Sequence, residues 1–129
     1  MSIKKSSEIP KYEKLSKIIT EIKNKGNFSG VILSYLDGRL LVKSTIDDYN
    51  FEEFIPMIAS VLKSADGIGK TIGGRRLQKI IAQLEDISLM ILKSKENNVF
   101  LTLIIDDETN IDPILENIDE YFKKIYKYC

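Results

Sequence analysis

Apolar and polar residues recur with two different periods along the chain, and the changes of period divide it into helices and strands. Before Gly26, apolar residues follow helical spacing at Tyr12, Leu15, Ile18, Ile19 and Ile22. This pattern predicts a first helix from about residue 11 to residue 25, ended by Gly26 and its neighbouring asparagines. Residues 1–9 are polar and patternless, which predicts a flexible tail before a single domain over residues 10–129.

Two β-rich runs then flank Asp37-Gly38 in the stretch GVILSYLDGRLLVKSTI. Asp-Gly between apolar runs favours a two-residue hairpin turn, because both turn positions require a positive φ that these residues tolerate. The pattern therefore predicts antiparallel strands near residues 29–36 and 39–46.

A second helix is predicted after the hairpin. Asn50, followed three residues later by Glu53, resembles a capping box. Pro56 lies beyond the first turn and removes a backbone hydrogen bond, so the helix either starts later or kinks there. We expect it to end near residue 65 or 66.

The apolar side chains of this second helix cover an arc of roughly 200°, whereas a surface helix needs a stripe only slightly wider than about 100°. Another subunit or a loop must therefore cover part of it. One arrangement packs the sheet against Ile55, Ile58, Ala59 and Leu62. It leaves a neighbouring flank formed by Phe54, Met57, Val61 and Ile68, and the reverse assignment of the two flanks also fits the pattern.

The stretch DGIGKTIGG contains Gly69-Lys70-Thr71, the second half of a phosphate-binding loop. The first glycine of that motif would fall at position 64, which is Ser64. A helix precedes the stretch, so the negative end of the helix dipole would face a phosphate. We therefore expect Lys70 to be a surface charge, with Gly67 and Gly69 ending the helix and Gly73-Gly74 turning the chain.

The remaining chain contains three further runs and a closing helix. RLQKIIAQLED fits helix spacing through Leu77, Ile80, Ile81 and Leu84, or strand alternation through Ile80, Ala82 and Leu84. ISLMILKS and NVFLTLII predict strands joined by a turn at residues 95–98. Asp112 is expected to cap the last helix, with Pro113 at its first position and a stripe of Ile114, Leu115, Ile118, Tyr121, Phe122 and Ile125.

Composition removes several classes of function. Nineteen basic residues balance nineteen acidic ones, which argues against a nucleic-acid-binding protein. The chain has no histidine, and its single cysteine, Cys129, suits a reducing cytoplasm. The pairs Asp47-Asp48 and Asp106-Asp107 are interpreted as solvated turns. We expect no catalytic, cofactor or metal site, no signal peptide and no membrane-inserted segment.

The order of these segments resembles the roadblock family, the dynein light-chain type of domain also found in prokaryotic regulators. The resemblance covers residues 11–127 and depends on order and spacing, since no single motif is specific. The similar segments are GVILSYLDGRLLVKS, IPMIASVLKSADGIGKTIGG, RLQKIIAQLED, ISLMILKS, VFLTLIID and DDETNID.

The resemblance implies an α+β, profilin-like and longin-like fold in the order α-β-β-α-β-β-β-α, with a five-stranded antiparallel sheet. It favours a strand over residues 76–84, with exposed Arg75 and Arg76 at its start. Family members are non-catalytic, dimerise through the second helix and third strand, and bind Ras-like small GTPases. The implied dimer interface comprises Phe54, Met57, Ile58, Val61, Leu62, Ile68, Leu77 and Ile80.

Two features depart from the family pattern: Pro56 within the presumed dimer helix, and the basic triplet Gly74-Arg75-Arg76. Lys70, Arg75 and Arg76 are candidate contacts for a protein partner. The resemblance favours a cytoplasmic homodimeric adaptor for a Ras-like GTPase. A structural subunit of a motor or signalling assembly and a small-molecule sensor are the alternatives, and a nucleotide-binding enzyme using Lys70 is disfavoured.

Overall fold

The computed structural model describes residues 10–96 and 98–129. The expected tail at residues 1–9 and Asn97 of the expected turn lie outside the described residues. Within the described residues, nine elements follow one another: α1 (Tyr12–Gly26), β1 (Gly30–Tyr35), β2 (Leu40–Thr45), α2 (Phe51–Thr71), β3 (Lys79–Gln83), β4 (Ser88–Lys93), β5 (Val99–Ile105), α3 (Asp112–Glu116) and α4 (Ile118–Tyr126).

The five strands form one antiparallel sheet in the order β2-β1-β5-β4-β3. β1 and β5 lie at its centre, and β2 and β3 form its two edges. The predicted α+β class and five-stranded antiparallel sheet are confirmed, and the ambiguous run before β4 is a strand.

Helices cover both faces of the sheet, so the chain has two apolar layers. On one face, Val31 and Leu33 pack with α1, α3 and α4. On the other, Ile32 packs with Ile55 and Leu62 of α2. Successive side chains of a strand point to opposite faces, which explains why β1 is apolar almost throughout.

The first helix ends one residue later than expected. Gly26 is its last residue, and Asn27 takes the left-handed conformation with φ 53°. A glycine is required at position 26 for packing, because the ring of Phe28 occupies the space that a Cβ atom would need.

The hairpin turn differs from the two-residue prediction. The turn comprises Leu36, Asp37 and Gly38, closed by a hydrogen bond from the Gly38 N–H to the Tyr35 carbonyl. Gly38 has φ 97°, and Asp37 does not share a positive φ. A three-residue hairpin loop commonly ends in a glycine with a positive φ, and Gly38 takes that position here.

The second helix begins where expected and ends later than expected. Asn50 is its N-cap, but its side chain makes no capping hydrogen bond and instead donates to Glu53 over 2.9 Å. The predicted capping box is therefore wrong. The helix starts before Pro56 and continues through it, which excludes the later start, one of the two alternatives that Pro56 left open.

The predicted end of this helix near residue 66 is wrong, since α2 continues through Gly67 and Gly69 to Thr71. Gly73 and Gly74 have φ of 72° and 66° and turn the chain, as expected. The Arg75 N–H donates to the Gly69 carbonyl over 2.9 Å, and the Arg75 carbonyl occupies the space a Gly69 Cβ atom would need. Gly69 thus allows the loop to return closely against the helix.

Two boundaries further along also differ from prediction. β3 begins at Lys79, so Arg75 and Arg76 lie in the preceding loop, where both are exposed as expected. The closing helix is broken at Asn117 into α3 and α4, and Ile111, not Asp112, is the N-cap of α3. Its predicted apolar stripe is confirmed as buried or half-buried.

We expect Gly69→Ala to destabilise the protein by about 1–3 kcal/mol, because the new methyl group must displace the Arg75 backbone. Gly67→Ala is the matched control in the same helix, where nothing lies within 4 Å of an added Cβ. Helix propensity predicts a gain of about 0.5–1 kcal/mol there. Urea unfolding measures both, and equal effects would contradict the close approach at Gly69.

Candidate interaction face

The second helix presents an apolar flank that the protein's own sheet does not cover. Met57, Val61 and Ile68 are 57%, 50% and 58% exposed. Ile55, Ile58, Ala59 and Leu62 are buried against the sheet. This is the first of the two flank assignments that the sequence allowed.

An apolar groove of about 400 Å³ separates this flank from β3. Six of its lining residues are Phe54, Met57, Val61, Ile80, Ala82 and Leu84, and no polar surface contributes to it. On the other side of α2, the hairpin turn at Gly38 lies close to Pro56. We call the exposed flank of α2, the groove and β3 together the interaction face.

The third strand forms the open edge of this face. β3 pairs with β4 on one side only, so its outer backbone groups are unpaired within the sheet. Ile81, on the side of β3 away from the groove, is 56% exposed. Apolar side chains thus remain exposed on both sides of an unpaired edge, a combination that monomeric proteins usually avoid.

The structure brings together most of the expected dimer-interface residues. Phe54, Met57, Ile58, Val61 and Ile80 line the groove. Leu62 is 2% exposed beneath α2 and has almost no surface to offer a partner, so its expected interface role needs correction. Ile68 is exposed and Leu77 is half-buried, both outside the groove lining.

The sequence pattern did not identify Ala82 and Leu84 as groove residues, although both fit the strand alternation. Tyr49, which also lines the groove, had no signal in the pattern. Its ring meets Phe51 and Phe54 edge-on, at centroid distances of 5.9 and 6.4 Å.

One end of the face is basic. Asp66 of α2 bridges Lys93 of β4 at 3.4 Å and Lys70 at 3.6 Å. The hydrogen bond and the charge of Lys93 hold the pKa of Asp66 below its ordinary value of 3.8. This cluster attaches the last turns of α2 to the sheet, and Arg75 and Arg76 follow in the adjacent loop.

The Gly-Lys-Thr triplet lies inside the last turn of α2. Lys70 pairs with Asp66, and the Thr71 hydroxyl donates to the Ile68 carbonyl over 2.7 Å. A phosphate-binding loop requires the opposite order, in which a strand leads through the loop to a helix N-terminus. The triplet therefore lacks that geometry.

A second, more polar cavity lies beside the β1–β2 hairpin. It has a volume of about 640 Å³ and is lined in part by Tyr35, Arg39, Lys63 and Cys129. Arg39 is engaged by Asp37 at 2.8 Å and lies over the Tyr35 ring. Burial raises the pKa of the Cys129 thiol, which disfavours the nucleophilic thiolate.

Asp106, the first residue of the acidic pair after β5, has a structural role. Asp106 accepts hydrogen bonds from the Ser29 and Thr109 hydroxyls and from the Glu108 N–H. The Ser29 hydrogen bond is the largest cause of the lowered pKa of Asp106. Across residues 10–96 and 98–129, no group of three histidines, cysteines or carboxylates is placed to hold a metal ion. In the same part of the chain, no helix is both long and apolar enough to cross a membrane.

Comparison with known proteins places the fold. No protein-family model matches the chain, and no curated protein matches it in sequence. Among solved structures, MglB from Myxococcus xanthus superposes with a TM-score of 0.79 at 17% identity, covering 91% of this chain and 95% of that one. The gliding protein MglB from Thermus thermophilus gives 0.78 at 15% identity, covering 91% and 89%.

The Roadblock/LC7 domain from Streptomyces avermitilis gives a TM-score of 0.76 at 11% identity, covering 88% of this chain and 95% of that one. These matches cover nearly all of both chains, and the chain has the roadblock fold that the sequence predicted. At this level of sequence identity the similarity defines the fold alone.

We expect Asp66→Asn to lower stability at neutral pH. A depressed folded-state pKa means that ionised Asp66 stabilises the fold above its unfolded pKa, and that this contribution is lost as pH falls through the folded pKa. The difference in urea midpoint between wild type and variant should therefore shrink from about pH 5 towards pH 3. Asp107→Asn, at an exposed carboxylate, is the control. A difference that stays constant with pH would contradict the ion pair.

Proposed function

We propose that this protein is a non-catalytic, cytoplasmic, homodimeric adaptor that binds a Ras-like small GTPase. The observation that carries the proposal is the interaction face, where an exposed apolar helix flank, an apolar groove and an unpaired edge strand lie together. The roadblock fold supports it, because the family that the sequence resembles dimerises through these two elements and binds such GTPases.

The homodimer accounts for the apolar surface. A twofold axis brings the same patch of two subunits together, so Met57, Val61 and Ile68 of both copies leave water in one event. Outward backbone groups of β3 gain partners when a second edge strand pairs with them. Pro56 is not among the groove-lining residues, so this departure from the family pattern leaves the face intact.

The GTPase contact is proposed for a surface that remains open in such a dimer. The basic end, with Lys70 and Arg75, lies at the rim of the face and not in its apolar centre. Rim charges mainly govern the rate of association and the choice of partner. A structural subunit without GTPase binding is the competing outcome.

We expect Val61→Glu to weaken the dimer by about 2 kcal/mol or more, roughly thirtyfold in Kd, because it buries a charge at the centre of the interface. Met57→Glu should act alike. Lys63→Glu is the control, since Lys63 lines the polar cavity on the other side of α2. Gel filtration with light scattering reads the mass. Dimers that survive Val61→Glu would contradict this interface.

We expect the wild-type protein to bind at least one Ras-like GTPase of the same genome in a nucleotide-dependent manner. Each GTPase is loaded with GDP or with a non-hydrolysable GTP analogue and mixed with the dimer. Calorimetry then measures affinity. Lys70→Glu combined with Arg75→Glu should slow association with little change in self-association. Absence of binding in both nucleotide states would leave the structural-subunit function.

A further inference from the structure

A basic segment with an apolar tip ends α2 and begins the connection to β3. We call residues 70–76 the basic segment; every one of them is exposed, among them Lys70, Ile72, Arg75 and Arg76. Ile72 is 53% exposed, so an apolar side chain stands in water between cationic ones. It lines neither the apolar groove nor the polar cavity beside the hairpin. The groove therefore does not account for the exposure of this tip.

Hydrogen bonds to the end of α2 fix the backbone of the basic segment. The Ile72 and Arg75 N–H groups donate to the Gly69 carbonyl over 3.2 and 2.9 Å, and the Arg75 guanidinium donates to the Ile72 carbonyl over 3.1 Å. These bonds engage carbonyls at the helix end, whose partial negative charge would otherwise face an approaching anion. A partner consequently meets a segment that needs little further ordering.

The charge of the basic segment is positive, although the nineteen basic and nineteen acidic residues of the chain balance. Asp66, one turn before Lys70, is engaged by Lys70 and by Lys93. Arg76 forms no ion pair within the part of the chain that the structure describes. The segment therefore presents cations that the chain's own carboxylates do not neutralise.

The acidic start of α2 lies too far away to cancel this charge. Glu52 and Glu53 occupy the first turn of a helix of 21 residues. A helix of that length spans about 30 Å. The screening length at physiological ionic strength is about 8 Å. A negatively charged surface in contact with the basic segment thus acts on its cations and is screened from the acidic end.

We propose that the basic segment docks the protein on a membrane surface that carries anionic lipid headgroups. Lys70, Arg75 and Arg76 lie among the headgroups, and Ile72 enters the edge of the hydrocarbon layer. Cations around an apolar side chain match this boundary, because negative charge and hydrocarbon lie side by side there. An acidic protein fits less well, since it would need an apolar pocket for Ile72 beside its carboxylates.

Membrane docking goes beyond the proposed adaptor function, although the two share part of a surface. Lys70 and Arg75 also lie at the rim proposed for the GTPase contact. The experiments below therefore change Ile72 and Arg76 and contain no GTPase. Failure to bind vesicles would leave the adaptor function standing, and failure to bind a GTPase would leave the docking standing.

Flotation with lipid vesicles tests the electrostatic part. We expect the wild type to float with vesicles of phosphatidylcholine and phosphatidylglycerol in equal parts, and not with phosphatidylcholine alone. Arg76→Glu should weaken binding about tenfold or more, because each basic residue near an anionic surface contributes about fivefold. Lys14→Glu, exposed on α1, changes the net charge equally and should have little effect. In about 1 M salt the binding should diminish, since the screening length falls to roughly 3 Å.

The apolar tip has a separate test. Ile72→Ser keeps the charge and should weaken binding about fivefold, whereas Ile46→Ser, at an isoleucine that is 69% exposed, should not. The chain has no tryptophan, so Ile72→Trp introduces a single indole fluorophore. Its emission should shift to shorter wavelength with the anionic vesicles, and that of Tyr12→Trp on α1 should not. Circular dichroism of each variant checks that it is folded.

Three results would overturn the proposal. A wild-type chain that stays in solution with the anionic vesicles would refute docking altogether. Equal binding by the wild type, Arg76→Glu and Ile72→Ser would show that another surface makes the contact. Binding to polyglutamate without binding to vesicles would identify an acidic protein as the partner of the basic segment instead.

Discussion

The architecture depends on the mismatch between α2 and the sheet beneath it. A helix lying on one sheet can bury a stripe of little more than about 100°, whereas the apolar arc of α2 spans roughly 200°. Ile55, Ala59 and Leu62 use the available face. The hairpin turn near Pro56 approaches one side of the helix, and the remaining apolar flank opens onto a groove beside β3. The surface available for recognition is therefore a consequence of packing inside the domain.

Two local features fix the position of that flank. Gly69 lets the return loop lie against the last turn of α2, which brings β3 back alongside the helix. Asp66 connects the same turn to Lys93 of β4. The close return at Gly69 thus helps to place the helix and the edge strand on one face.

Much of the fold could be predicted because it follows from periodicity and order. Alternation and the Asp-Gly signal located the hairpin, and helical spacing separated the buried and exposed flanks of α2. The errors arose where tertiary contacts override local preference. Gly67 and Gly69 resemble helix terminators, yet the helix continues through both to Thr71. Gly69 is needed for a different reason, because the returning Arg75 backbone leaves no space for a side chain at that position. The break at Asn117 and the three-residue hairpin turn likewise have no distinct pattern. Most of the residues expected at the interface lie together on one face, but the burial of Leu62 depends on helix rotation, which spacing alone does not fix.

Self-association through the face formed by α2 and β3 is the central claim, and the solution mass of the wild-type chain tests it most directly. Sedimentation equilibrium over a wide concentration range, with no other protein present, should give twice the chain mass of 14.7 kDa, with dissociation only on dilution. A mass of one chain at the highest concentration would contradict the account, because the exposed flank of α2 would then have no partner of its own kind.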